Sequence, residues 1–379
     1  MLALPLASAG IGFITSLLLM LALWLLMAFT ALLMVELHQH APANATLHTL
    51  AKQFLGDKGK WLATSAMLFL FYALCAAYIA GGGAQFGERL NQLFDIEVSP
   101  QTATVSFTVI VALVVTIGTA AVDKLNRVLF IAKMIAMVSV LFFLAPNMTE
   151  SYLLTMPMQQ GLIVAALPVI FTSFGFHGSI PVIVNYLDGN TRSLKKAIVI
   201  GSAIPLIIYV FWQLVTLGVL SQQEMLENKG LTALIGQLAN KVHVGQLGHI
   251  IGVFADLALL TSFFGVSLGL FEFLGDSMKS RMREPKRWLA SLATFLPPMV
   301  FALFYPQGFI TALGYAAIAL VVLAIFLPVA MVCQSRLVHP SQPYQVKGGQ
   351  LALLLASLVG IIIVGVQILV VVGYLPSLG

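Results

Sequence analysis

Long apolar runs, separated by short polar segments, recur along the whole chain. Ten of these runs are long enough to cross a bilayer, because roughly 20 residues at about 1.5 Å each match a ~30 Å hydrocarbon core. Lipid cannot satisfy free backbone groups, so the runs are predicted to be helices rather than open strands. The predicted spans are residues 11–37, 61–84, 102–122, 128–146, 160–186, 197–220, 247–275, 287–305, 309–333 and 350–374. A shorter apolar segment, residues 1–10, precedes them.

The composition supports the same class of protein. Of the 379 residues, 60% are hydrophobic and only 9% are charged, whereas ordinary soluble domains carry roughly 25% charged residues. The sequence therefore predicts an all-α polytopic membrane protein whose spans contact the lipid bilayer. The net charge of +5 is explained by basic loops, so no nucleic-acid partner is predicted. No feature of the sequence specifies an oligomeric state.

Basic residues fall almost entirely on one set of alternate loops. Of the 19 Lys and Arg residues, only Arg89, Lys229 and Lys241 lie on the opposite set. Cytoplasmic loops are enriched in Lys and Arg, so the basic side is predicted to be cytoplasmic and the C-terminus periplasmic. The basic side holds Lys52, Lys58, Lys60, Lys124, Arg127, Arg192, Lys195, Lys196, Lys279, Arg281, Arg283, Lys286, Arg287, Arg336 and Lys347, with Lys133 just inside a span.

The same orientation affects the start of the chain. With ten full spans and an outside C-terminus, residue 1 would also lie outside, although no basic segment or cleavage site accounts for export of that end. We therefore expect the first helix to begin upstream of Met1. Residues 1–10 would then be the truncated remnant of that helix.

The span at 160–186 is interrupted in its middle. Residues 172–179 read Thr-Ser-Phe-Gly-Phe-His-Gly-Ser, and Pro181 follows. Glycine weakens a helix, and proline removes a donor and clashes with the preceding turn. A simple kink needs only the proline, so the polar stretch predicts unwound backbone that lines a cavity or is buried in protein. Pro5 is a weaker counterpart in the remnant, and paired interruptions indicate a transporter binding site.

Ionisable and hydroxyl side chains inside the spans are candidate functional groups, because charge is costly there. Lys133 either snorkels to the interface or supplies an amine that pairs with, or replaces, a cation. Asp256 is either a relay carboxylate or the partner of a buried donor. His177 is either a satisfied core residue or part of a site. Thr261 and Ser262 could ligate a cation or hold an amine, unless they merely bond back to the preceding turn.

Tyr72 and Tyr78 are further candidates, since a tyrosine can stack on or hydrogen-bond a ligand, although packing alone would also explain them. We select Tyr72 for the predicted site.

The sequence contains no metalloprotease, nucleophile-elbow or phosphate-loop motif. We therefore predict no enzyme activity, no metal and no cofactor. A membrane enzyme or a channel stays as an alternative that would require a catalytic cluster or a polar pore stripe.

Several motifs resemble those of the hydroxy- and aromatic-amino-acid permease family, and the resemblance extends over essentially the whole chain. The motifs are Phe171-Thr-Ser-Phe-Gly-Phe-His-Gly-Ser-Ile-Pro181, Tyr186-Leu-Asp-Gly-Asn190, Leu37-His-Gln-His-Ala-Pro42, Phe254-Ala-Asp-Leu-Ala258, Phe301-Ala-Leu-Phe-Tyr-Pro306 and Val346-Lys-Gly-Gly349. The family carries a glycine-rich stretch just before the position of Met1, which this sequence lacks.

The resemblance implies a LeuT-type transporter fold in a single domain, residues 1–379. Its two inverted five-helix repeats would be residues 1–146, truncated at the N-terminus, and residues 160–333, with an eleventh helix at 350–374. It also implies proton-coupled symport of an aromatic amino acid, most specifically tyrosine, across the bacterial inner membrane. Symport of tryptophan or another amino acid, with sodium as a possible coupling ion, is the alternative.

Together, the residues and the resemblance predict two groups of site residues. The predicted substrate-binding residues are Pro5, Tyr72, Ser173, Phe174, Gly175, Phe176, His177, Gly178 and Ser262. The predicted proton-coupling residues are Lys133, Thr261, Ser262 and Asp256.

Overall fold

A computed structural model describes residues 1–95, 97–158, 160–241, 247–279, 287–341 and 343–377. Every regular element within these ranges is a helix, and ten helical segments there are long and apolar enough to cross a membrane. The predicted all-α polytopic class is therefore confirmed. Arg281, Arg283 and Lys286, which the charge pattern predicts on the cytoplasmic side, lie outside the described residues.

The α-helices follow the predicted spans closely. They are α1 (Ala3–Ser8), α2 (Phe13–His38), α3 (Leu47–Phe94), α4 (Pro100–Ile117), α5 (Thr119–Leu144), α6 (Glu150–Leu153), α7 (Gln160–Thr172), α8 (Ile180–Tyr186), α9 (Thr191–Val219), α10 (Gln222–Glu227), α11 (Leu231–Asn240), α12 (Leu247–Lys279), α13 (Arg287–Phe304), α14 (Phe309–Val321), α15 (Leu327–Val338) and α16 (Gly349–Val372). A π-helical turn, Val322–Phe326, joins α14 to α15.

Two spans matter for the site: one extends beyond its predicted limits, and the other is interrupted where predicted. The predicted span at 61–84 continues to Phe94, so Arg89 lies on α3 and not in a loop as predicted. Gly56 bends the start of the same helix, where its φ of 70° is a conformation that glycine adopts without strain. The interruption at residues 172–179 is present, because α7 ends at Thr172 and α8 begins at Ile180.

The helices pack around the interrupted segment. α14 lies against α3 and α7, α12 lies against α3 and α5, and α2 lies against α9. Helices from distant parts of the chain therefore surround α7 and α1, which are both short. The two inverted repeats stay a prediction, with the boundaries given above.

A buried ion pair fastens the end of α2 to α15. The Glu36 carboxylate is fully buried and accepts hydrogen bonds from Arg336 Nε at 2.7 Å and Arg336 Nη2 at 2.8 Å. The backbone N–H of Val346 also donates to Glu36, at 2.7 Å. A carboxylate removed from water needs this number of donors, and the contacts join α2, α15 and the segment before α16.

Replacing Glu36 with alanine should destabilise the fold, because Arg336 and the Val346 N–H lose their acceptor. We expect a loss of about 3 kcal/mol in the free energy of unfolding, measured by thermal or denaturant unfolding in detergent. Arg127→Ala is the matched control, because it breaks a pair with Asp123 whose side chains are 77% and 57% exposed. Equal effects of the two substitutions would contradict the prediction.

Candidate functional site

A cavity of about 530 Å³ lies beside the interrupted helix. Small-molecule sites commonly enclose about 300–1,000 Å³, so the volume suits a single small solute. Most lining side chains are apolar and come from α1, α3, α5, α9, α12 and α14. The lining residues with polar side chains are Tyr78, Lys133, Thr172, Ser173, Tyr209 and Ser262.

The end of α7 forms one side of this cavity. The Thr172 hydroxyl lies 2.9 Å from the Pro168 carbonyl oxygen and 3.1 Å from that of Leu313, which belongs to α14. The Ser173 hydroxyl donates to Val169 O at 3.3 Å. These two hydroxyls therefore hydrogen-bond to carbonyl groups at the end of the helix. Buried backbone carbonyls need such partners because they have no access to water. A Cβ at Gly175 would come within 2.9 Å of the Leu320 side chain, so glycine permits the close approach of α14.

His177 lies in the same interruption but is not a lining residue of the cavity. Its side chain is buried, and Nε2 is 2.9 Å from the Thr30 hydroxyl on α2. That hydroxyl is also 3.2 Å from Met27 O, so it can donate there and accept from the ring N–H. His177 Nδ1 has no hydrogen-bond partner among the described residues. The histidine thus ties the interrupted segment to α2.

Lys133 is the one charged side chain among the described residues that line the cavity. Its ammonium group donates to the Thr261 hydroxyl at 3.3 Å and lies 4.6 Å from the Phe130 ring centroid. Thr261 in turn donates to Leu257 O at 2.8 Å, which leaves its oxygen free to accept from the lysine. The amine is therefore held at the contact between α5 and α12, beside Ser262.

Asp256 lies elsewhere, one helical turn along α12 from the cavity-lining Leu259. Its carboxylate accepts a hydrogen bond from Arg89 Nε at 3.0 Å, and the two side chains are 25% and 17% exposed. The pair borders a separate recess of about 210 Å³ between α3, α4 and α12. A Cβ at Gly252 would collide with the Arg89 guanidinium. Of the two predicted possibilities, the geometry matches a partner for a buried donor.

The cavity brings together only some of the predicted site residues. Ser173, Gly175, Lys133 and Ser262 line it, and Thr261 reaches it through Lys133. The other predicted residues do not line it: Pro5, Tyr72, Phe174, Phe176, His177, Gly178 and Asp256. Tyr72 instead donates to Ala293 O on α13 at 2.7 Å.

Several lining residues were left out of the predicted site. Of the two candidate tyrosines on α3, Tyr78 and not Tyr72 lines the cavity, because six residues along a helix turn the side chain by about 240°. Met134 and Met137 line the cavity beside Lys133, and the spacing of four residues between Lys133 and Met137 was a usable signal. Tyr209 on α9 had no such signal, because nothing in its local sequence distinguishes it from other residues of an apolar span.

A larger recess of about 620 Å³ opens on the opposite side of Phe309. Its lining includes Glu88 on α3, Lys229 and the segment before α14. Phe309 lines both this recess and the cavity. A Cβ at Gly81 would come within 3.0 Å of the Phe309 ring, so the absence of a side chain on α3 makes room for the phenylalanine.

Within the described residues, ten helices are long and apolar enough to cross a membrane, and several of them line a cavity whose one charged side chain is Lys133. These features define a polytopic membrane protein. Residues 1–367 match the model of the tryptophan/tyrosine permease family. The chain belongs to this family, which comprises transport proteins and not enzymes.

Three similar proteins come from Haemophilus influenzae. Tyrosine-specific transport system 1 is 44% identical over 381 residues, which cover 99% of this chain and 94% of the relative. Tyrosine-specific transport system 2 is 43% identical, with the same coverage of both chains. A tryptophan-specific transport protein is 32% identical and covers 100% of this chain and 94% of its own length.

Replacing Thr30 with valine should leave a ring nitrogen of His177 buried without a partner. We expect a loss of about 1–3 kcal/mol in the free energy of unfolding, measured by thermal unfolding in detergent. The matched control is Thr108→Val, since the Thr108 hydroxyl is equally buried but bonds only to Thr104 O on its own helix. An equal loss in the free energy of unfolding for both variants would show that the hydrogen bond between Thr30 and His177 does not specifically stabilise the interrupted segment.

Proposed function

We propose that this permease is a proton-coupled symporter that carries aromatic amino acids, above all tyrosine, into the cytoplasm by alternating access. The observation that carries the proposal is the position of Lys133, a titratable amine at the wall of a solute-sized cavity. The substrate follows from the relatives, because the two at 44% and 43% identity are named tyrosine-specific and the one at 32% is named tryptophan-specific.

The charged groups of the substrate are proposed to meet the polar side of the cavity. Carbonyl groups at the end of α7 attract an ammonium group, because that end of a helix carries negative partial charge. The Lys133 ammonium suits the substrate carboxylate, and Ser173, Gly175 and Ser262 complete this side. Four other predicted residues of the interruption would support the polar side of the cavity without lining it: Phe174, Phe176, His177 and Gly178. Pro5 would have the same supporting role in α1.

The aromatic ring is proposed to lie against the apolar wall. Met134 and Met137 of α5 face this part of the cavity together with Ile204 and Ile208 of α9. A flat ring gains by burying its area against such side chains, and methionine sulfur adds favourable contacts with aromatic rings. Tyr72 and Asp256 are not part of the proposed contact set, since neither lines the cavity.

Coupling is proposed to run through Lys133 and Thr261. When protonated, the lysine places a cation beside the substrate, and proton release on the cytoplasmic side removes that charge. Moving one charge through 100 mV is worth about 2.3 kcal/mol, which is enough to bias the cycle inward. In the proposed orientation, the C-terminus is periplasmic in a bacterial inner membrane. The 620 Å³ recess would then lie on the periplasmic side, and Phe309 would close the cavity toward it.

Sodium-coupled transport, or tryptophan as the principal substrate, is the competing possibility within the family. Competition uptake assays with and without sodium separate these options. A channel would pass solute far faster than a carrier that saturates, so saturable uptake excludes it.

The proposal is tested with labelled tyrosine and proteoliposomes under an imposed inward proton gradient. The wild type should accumulate tyrosine saturably, and Lys133→Met should lose at least about tenfold of the gradient-driven rate, because one titratable charge no longer moves. Lys124→Met is the control, since Lys124 is exposed near the start of the same helix. Uptake should collapse when a protonophore dissipates the gradient.

Two results would contradict different parts of the proposal. Absence of tyrosine uptake by folded wild-type protein would refute the substrate. Tyrosine uptake that survives Lys133→Met and the protonophore, or that follows a sodium gradient, would refute the coupling.

A further inference from the structure

We propose that Tyr209 on α9 selects for substrates that carry a phenolic hydroxyl group, by exchanging a hydrogen bond with that group. This inference rests on the proposed function, and it assigns one residue to the discrimination of tyrosine from phenylalanine.

Tyr209 is rigidly placed at the cavity wall. Its ring packs edge-on against Phe174 in the interrupted segment, with ring centroids 5.7 Å apart and planes at 60°. Both α9 and the interruption therefore fix its orientation. The ring lines the cavity, yet no hydrogen bond joins its hydroxyl to any residue that the structure describes. A phenolic hydroxyl held beside apolar side chains costs free energy until it finds a partner.

Several other polar groups at the cavity are engaged in contacts within the protein. The hydroxyls of Thr172 and Ser173 bond to backbone carbonyls of α7. Lys133 donates to Thr261, and the Tyr78 hydroxyl lies beside Ser262. Tyr209 is a polar side chain of the described lining whose hydrogen-bonding capacity is left for a ligand.

The neighbours of Tyr209 also fit the aromatic end of a substrate rather than its charged end. On α9 the other lining residues are Ile204, Pro205 and Ile208, and none of them carries a polar side chain. Tyr78 on α3 also lies near Tyr209, and it contributes a phenol and no ionic partner. An amino or carboxylate group placed there would lose its hydration without gaining an ionic partner. An aromatic ring would lie against this apolar wall with its para position free to meet the Tyr209 hydroxyl.

This arrangement favours tyrosine over phenylalanine for a general reason. A site that hydrogen-bonds a substrate hydroxyl rejects the analogue that lacks it, because the protein group is then left unpaired. Tyr209→Phe removes the protein partner and should weaken the preference for tyrosine, because the tyrosine hydroxyl is then left unpaired while phenylalanine meets a matching apolar wall.

The experiment compares uptake of labelled tyrosine and phenylalanine by proteoliposomes over a concentration series. In Tyr209→Phe, the ratio of Vmax/KM for tyrosine to that for phenylalanine should fall about tenfold or more, as expected for one lost hydrogen bond. The change should appear in KM for tyrosine, with phenylalanine transport retained. Tyr305→Phe is the control, because that side chain is 62% exposed and is not among the residues that line the cavity.

An unchanged ratio in a Tyr209→Phe protein that still transports would overturn the inference. The proposed function would stand in that case, because wild-type tyrosine uptake is measured in the same assay and fails only if the substrate assignment itself is wrong.

A second measurement uses the wild-type protein and does not depend on how the variant folds. 4-Azidophenylalanine carries a photoreactive group at the para position, where tyrosine carries its hydroxyl. Tyrosine-competed cross-links that map by mass spectrometry to the α9 peptide around Tyr209 support the inference. Competed cross-links confined to α3 or α12 overturn it.

Discussion

The interruption of the helix at residues 172–179 governs how the surrounding helices pack. Inside a membrane the backbone groups freed by such a break cannot turn to water, so protein must supply their partners or a cavity must hydrate them. Thr172 and Ser173 satisfy carbonyls of α7, and Thr172 also meets α14. His177 ties the far end of the break to α2 through Thr30. Packing against these neighbours leaves one side of the break facing open space.

The charge of Lys133 is acceptable at this depth because of that open space. An ammonium group in lipid would be expensive, but here it borders a cavity and has the Thr261 hydroxyl as an acceptor. The contact joins α5 to α12, two helices that pack closely along their length. A change in the charge of this amine would therefore alter both its hydrogen bond to α12 and the electrostatic potential inside the cavity. The proposed coupling depends on this combination.

Residues around the break and on α5 were the part of the site that local sequence could predict. Two features depart from the apolar pattern of a membrane span: a glycine-flanked polar stretch in one span and a lysine inside another. Each departure costs free energy in a membrane, which marks it as a candidate for function. Asp256 was selected by the same reasoning, and Tyr72 was selected because a tyrosine can stack on a ligand. The structure turns Tyr72 toward α13 and pairs Asp256 with Arg89. Side-chain chemistry identifies a candidate, whereas helix rotation decides which space it faces.

The all-helical class, the ten spans and the interruption follow from the amino-acid pattern alone, because the bilayer imposes a fixed length and forbids unpaired backbone. The orientation of Tyr78 and Tyr209 toward the cavity, and the place of Phe309 in the lining of both the cavity and the 620 Å³ recess, depend on how the helices pack. In helices that are apolar on nearly every face, hydropathy carries almost no information about rotation. Steric fit between helices far apart in the chain, such as Gly81 with Phe309, sets that rotation instead.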